Sequence, residues 1–188
     1  MKYVLVVFFC SLSLVVGAEE SWDFDALLKE MNMAYQQPEG WRPAKQVYSQ
    51  VASNRVLVTP DGKAELHLLL RPVSLMSIDY DDPHSSAPNP NEVFPLLFDS
   101  LVQQLSNNQG SNKQELLPRQ AQEKFNANWA AASVFDLKQR TSEVYSEGLL
   151  IAMHRHNAGD AYLLVLSNSL GSIKNLIQSA ETSLVFNE

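Results

Sequence analysis

The spacing of apolar positions changes several times along this chain, and each change marks an element. Trp22, Phe24, Leu27, Leu28 and Met31 recur at the interval of one helix face, with Ser21 or Asp23 placed to cap the start. This predicts a short amphipathic helix over 22–30. Residues 31–36 read as extended and lead into Gln37-Pro38-Glu39-Gly40-Trp41. Proline followed shortly by glycine is turn chemistry, and Trp41 is expected to close that turn onto the core. From residue 55 the period becomes two. A strand over 55–59 and a return strand over 64–72 flank Pro60-Asp61-Gly62, where proline presets φ and glycine tolerates positive φ. On the return strand Ala64, Leu66, Leu68 and Leu70 share one face, and Glu65, His67, Leu69 and Arg71 share the other. The first face is core. The second is mixed, and is expected to be wet or partly covered.

Residues 74–91 carry aspartates, serines and prolines without periodicity, which predicts a long loop. A helix capped by Asn91 follows through about Ser106, with Val93, Phe94, Leu97, Leu101 and Leu105 as its stripe. After a polar linker over 106–113, the second half reads as meander strands. Residues 129–138 are small and β-prone. The runs 148–156 and 161–167 are joined by Asn157-Ala158-Gly159-Asp160, a hairpin turn. Leu163-Leu164-Val165-Leu166 is continuously apolar, so that strand is expected to be central and covered on both faces. A last helix over 171–184 shows Ile173, Leu176, Ile177, Ala180 and Leu184 at helical spacing. Runs of strands separated by single helices predict an α+β domain: an antiparallel sheet with helices packed on it.

The N-terminus changes the compartment. Lys2, the apolar run Val4–Val16 and the small residues Val16-Gly17-Ala18 have the layout of a secretory signal peptide, so residues 1–18 are expected to be removed. The run is shorter than the ~20 residues a spanning helix needs, so no membrane insertion is expected after cleavage. Residues 19–188 then form a single domain. Cys10 is the only cysteine and lies in the leader. The remaining chain has no thiol for a disulfide, a nucleophile or a metal, and there is no Asn-x-Ser/Thr acceptor. Both features suit a bacterial periplasmic or secreted protein. Net charge is −7, and loss of Lys2 makes it more negative. With no basic cluster, nucleic acid is not an expected partner.

Chemistry-bearing residues are few. On a strand, His154 and His156 would share a face and could point at one ion, which makes them candidate zinc ligands. The plainer reading is a polar strand end facing water, and it is the one adopted. Asp79-Tyr80-Asp81-Asp82 offers oxygens but lacks the ligand alternation of a calcium loop. Glu65, His67 and Arg71 on one strand face form a candidate ligand or partner surface. No Gly-x-Ser-x-Gly, phosphate loop or dinucleotide glycine pattern is present, so no catalytic residue is assigned. A hydrolase would need a site assembled only in space.

The stretch Met33 to Trp41, a strand followed by Pro38-Glu39-Gly40-Trp41, precedes a hairpin, a central helix, a meander and a C-terminal helix. This order resembles the PsbP-like fold over residues 31–186. That group includes the photosystem II extrinsic subunit, a eukaryotic Ran-binding factor and bacterial periplasmic proteins of the DcrB type. The resemblance implies a layered α+β sandwich and a non-enzymatic accessory or binding role through a protein partner. It supplies no catalytic residues. The alternative is a metal- or small-ligand-binding protein using the His154/His156 strand face.

Overall fold

The computed structural model describes residues 23–45, 52–76, 89–107, 112–138, 142 and 144–188. The expected leader, the acidic stretch 79–82 and His84 lie outside them. In chain order the elements are α1 (Phe24–Glu30), β1 (Met33–Tyr35), β2 (Arg42–Pro43), β3 (Arg55–Val58), β4 (Ala64–Pro72), α2 (Phe94–Leu105), β5 (Asn112–Glu115), α3 (Pro118–Phe125), β6 (Trp129–Asp136), β7 (Glu147–Arg155), β8 (Gly159–Ser167), α4 (Leu170–Glu181) and β9 (Leu184–Phe186).

Seven strands pair antiparallel in the order β2-β3-β4-β8-β7-β6-β5. β8 lies between β4 and β7, and all nine of its residues are buried. Its continuous apolar run is explained by that position. Leu163 and Val165 enter one core and Leu164 and Leu166 the other, because strand side chains alternate. Each such leucine contributes about 1.5–3 kcal/mol on burial. The β3–β4 turn forms as its residues require: Gly62 adopts φ +69°, and the Asp61 carboxylate accepts from the Lys63 N–H at 3.1 Å and from the Thr59 hydroxyl at 2.8 Å. Trp41 is buried, as expected of the turn before it.

One face of the sheet carries α1, α3, α4 and a small sheet in which β1 pairs antiparallel with β9. Phe24, Leu27, Phe125, Ile173 and Phe186 pack there against Leu66, Leu68 and Leu163. The other face carries α2, whose Phe98, Val102 and Leu105 bury against Leu69, Leu150 and Tyr162. The fold is α+β, as the order of elements predicts.

Several elements differ from expectation. α3 and the short strands β2, β5 and β9 were not anticipated. α4 ends at Glu181, so Leu184 belongs to β9 and not to the helix stripe. Asn91 does not cap α2. The helix starts at Phe94 with Val93 before it and no side-chain cap, and Pro95 occupies the first turn, where a missing N–H costs nothing. Asn91 instead clasps the β7–β8 turn: Asn157 N–H donates to Asn91 Oδ1 at 2.8 Å, and Asn91 Nδ2 donates to Asn157 Oδ1 at 3.2 Å.

Candidate functional site

The mixed face of β4 is not a wet face. His67 is 0% exposed and the Glu65 side chain 12%. Glu65 and His67 lie two residues apart on one strand, so they share a face, and His67 Nε2 sits 3.1 Å from Glu65 Oε2. His67 Nδ1 is 2.8 Å from Ser53 Oγ, on the stretch before β3. Serine, histidine and carboxylate in line are the residue types of acyl transfer. A substrate carbonyl would have to reach both the serine oxygen and the imidazole, and this imidazole is sealed. The line is a lock between β4 and the segment before β3.

A second buried polar group crosses the sheet near the β7–β8 turn. Arg71 on β4, Asp160 on β8, His154 on β7 and Trp129 on β6 are successive register partners. His154 is 2% exposed and Asp160 1%. Their contact is 2.8 Å, from His154 Nδ1 to Asp160 Oδ1. A carboxylate oxygen accepts from the imidazole, so the contact uses a proton on Nδ1. Tyr162, two residues along β8, donates its hydroxyl to Asp160 Oδ2 at 3.4 Å. Burial, and then the Asp160 charge, hold the Tyr162 phenol well above its usual range, with Arg71 pulling the other way. Phe94 of α2 stacks on the His154 ring at 4.1 Å and 14°, and its own neighbour at 4.9 Å is Trp129. Among the described residues His154 Nε2 has no hydrogen-bond partner.

The two candidate zinc residues are therefore placed differently. His154 is inside, under α2, and not at a wet strand end. His156 is exposed in the turn beyond β7, where its backbone N–H donates to Asn128 Oδ1 at 2.7 Å. Among the described residues no group of three or more His, Cys, Asp or Glu is placed to hold a metal ion. Of the face predicted from β4, Glu65 and His67 touch, while Arg71 joins the Asp160–Tyr162 group. Asp160 and Tyr162 were not anticipated. Asp160 reads as a turn residue if the turn is set at 157–160. The real turn centres on Asn157, which adopts φ +62°, and Gly159 (φ +143°) is already on β8. That shift of register is what sets Asp160 opposite His154.

The opposite face holds an open groove of about 640 Å³ between α3, α4 and the β5–β7 end of the sheet. Ala132, Val134, Leu149, Ile151 and Ile177 supply its apolar lining. Ala132, Val134 and Ile177 are only half-buried there. Asn112 and Gln114 of β5 and Gln120 of α3 stand along the side. The groove runs past an ion pair joining the two helices, Lys124 Nζ to Glu181 Oε1 at 2.6 Å. Glu123 is held by Arg119 at 2.7 Å one turn back on α3. α3 can form this wall because Pro118 starts it and Gln120 caps it, its Oε1 accepting the Leu117 N–H at 3.0 Å, while Asn126 ends it at φ +53°. Only Ala121 and Phe125 of α3 are buried. No helix among the described residues is long and apolar enough to cross a membrane.

No family model matches the chain, and no curated protein matches it. Among solved structures, the chain is similar to the solution structure of cyanobacterial PsbP (CyanoP) from Synechocystis sp. PCC 6803, at 12% identity, over 84% of this chain and 88% of that one, with a TM-score of 0.45.

Proposed function

We propose that this chain is an exported, non-enzymatic binding protein whose working surface is the groove between α3, α4 and the β5–β7 end of the sheet. One observation carries the reading: apolar side chains of the sheet and α4 stay half-buried in a concave space of about 640 Å³. That volume lies in the range of ligand sites, which are mostly apolar with a few placed polar groups. The buried polar groups on the other face support a binding role over a catalytic one, because His67 is sealed and linked on both ring nitrogens. An accessory role through a protein partner is compatible with the same surface.

The test uses the uncharged fluorophore N-phenyl-1-naphthylamine. Its emission should rise on binding the purified protein, and Ala132→Phe and Ile177→Trp, which fill the groove from the sheet and from α4, should each weaken it at least about ten-fold, or about 1.4 kcal/mol. Thermal melts of both variants check that they fold. Undiminished binding by two folded, filled variants would sink the proposal.

A second reading keeps one observation in its favour. Asp160 accepts from His154 Nδ1, and Nε2 has no hydrogen-bond partner among the described residues, the arrangement by which a carboxylate orients a metal-ligating histidine. Zinc should then raise the melting temperature of the wild type and leave His154→Ala unmoved. No zinc-dependent shift in the wild type would remove this reading.

A further inference from the structure

We infer that the ligand of the groove is a small amphiphile with a linear apolar chain and an uncharged, hydrogen-bonding head. The inference rests on the binding reading above and names the class of its ligand. It starts from the charges around the groove. Each carboxylate on its edge already has a cation: Glu181 holds Lys124 at 2.6 Å, and Glu123 holds Arg119 at 2.7 Å. A charged head would enter beside neutralised pairs and would have to break one of them to gain a partner. An anionic head meets Glu123 and Glu181, and a cationic head meets Lys124. Neither finds a free counter-charge among the described residues that line the groove.

The polar groups that remain are amides. Asn112 and Gln114 alternate with Lys113 on β5, so both face the groove while Lys113 turns to the other side of the sheet. Lys113 ends on Asp99 of α2 at 3.1 Å, so it is not available to the groove. Gln120 spends its oxygen on the Leu117 N–H and keeps its NH₂ group as a donor. Three amides give donors and acceptors without charge, which is what a sugar, amide or polyol head requires.

The apolar part fixes the shape. The space is walled by two helices and floored by β6 and β7, where Ala132 stands beside Ile151 and Val134 beside Leu149 as register partners. A chain lying along this floor covers Ala132 and Val134 of β6 and Ile177 of α4, which are half-buried. A peptide strand added to the outer edge of β5 would lie beyond Gln114 and leave the β6–β7 floor uncovered. The small linear ligand fits the floor best.

The experiment displaces N-phenyl-1-naphthylamine from the intact protein with n-alkyl glucosides of rising chain length, each below its micellar concentration. Each added methylene should tighten binding about four-fold, which is about 0.8 kcal/mol, until the groove is full. The alkyl sulfate and alkyl trimethylammonium of equal chain length should bind at least ten-fold more weakly. Gln114→Ala should weaken the glucoside several-fold while its thermal midpoint stays that of the wild type, which separates head recognition from folding. A flat dependence on chain length overturns the inference, and so does equal or tighter binding of either charged head. Displacement by an apolar peptide but not by any glucoside also overturns it and assigns the groove to a protein segment. In those three cases the fluorophore still binds the groove, so the binding reading survives. If the filled variants keep the fluorophore, both fall together.

Discussion

On the α2 face of the sheet, Lys113 reaches over Phe98 and Trp129 at 5.5 and 5.8 Å and ends on Asp99. On the other face its neighbour Gln114 stands beside an open groove. The two side chains are adjacent on one strand, yet one closes a core and the other borders a space. The α2 face has polar groups sunk among aromatics, with His154 between Phe94 and Asp160. The groove face has its polar groups on the edge and apolar atoms at the bottom. Buried polar groups with partners specify and hold a structure, whereas half-covered apolar surface invites a ligand. Chemistry-bearing residue types are thus a poor guide here, because His67 and His154 mark the finished face and plain alanines and valines mark the unfinished one.

That contrast can be broken in graded steps. The largest effect belongs to Phe98→Ala, which empties a fully buried site under α2 and should cost about 3–5 kcal/mol of unfolding free energy in denaturant titration. A cost below about 1 kcal/mol would mean that α2 is not docked as described. Next is Asp160→Ala. It strips His154 Nδ1 and the Tyr162 hydroxyl of a shared acceptor in a buried place, and should cost about 1–3 kcal/mol. A neutral outcome would show that the polar row does not hold the α2 face.

Glu147 gives a smaller effect and a sign. Burial, and then the Asp136 carboxylate opposite it, push the Glu147 carboxyl above its usual value. The folded state therefore binds this proton more tightly than the unfolded chain does. Its stabilisation is present at low pH and is lost as pH rises through the folded value. Glu147→Gln should thus melt a few degrees higher than the wild type near about pH 7, and the gap should close near about pH 4. A gap that widens on acidification would reverse the assignment. The smallest effect is expected at Gln114→Ala, which should change stability by no more than about 0.5 kcal/mol, since its side chain closes no core. A larger cost would make Gln114 part of the structure and blur the contrast with Lys113.

Much of the frame was legible because it depends on local rules. Pro60-Asp61-Gly62 is a turn on its own chemistry, and the alternation from Ala64 to Arg71 sorts β4 into two faces whatever packs on them. The run Leu163–Leu166 announces a strand covered on both sides. α3 was not legible because six of its eight residues are unburied, so it has no apolar stripe to read. β5 is Asn112-Lys113-Gln114-Glu115, polar throughout, and only pairing with β6 makes it a strand. The candidate site suffered most. The groove is lined from β5, α3, β6, β7 and α4, so no single stretch of sequence contains it.

By itself the sequence determined the α+β class, the β3–β4 hairpin, the central double-faced strand and which residues of β4 share a face. These follow from backbone geometry, in which side-chain direction is set by period two and turns by proline and glycine. Tertiary structure alone decided what each face meets. It put His67 and His154 in the interior, where a wet or partly covered face was expected for the first and a wet strand end for the second, because Ser53, Asp160 and Phe94 converge on them from other segments. It also left a groove over the sheet between α3 and α4, since the placement of two helices on a sheet depends on side-chain contacts between distant parts of the chain.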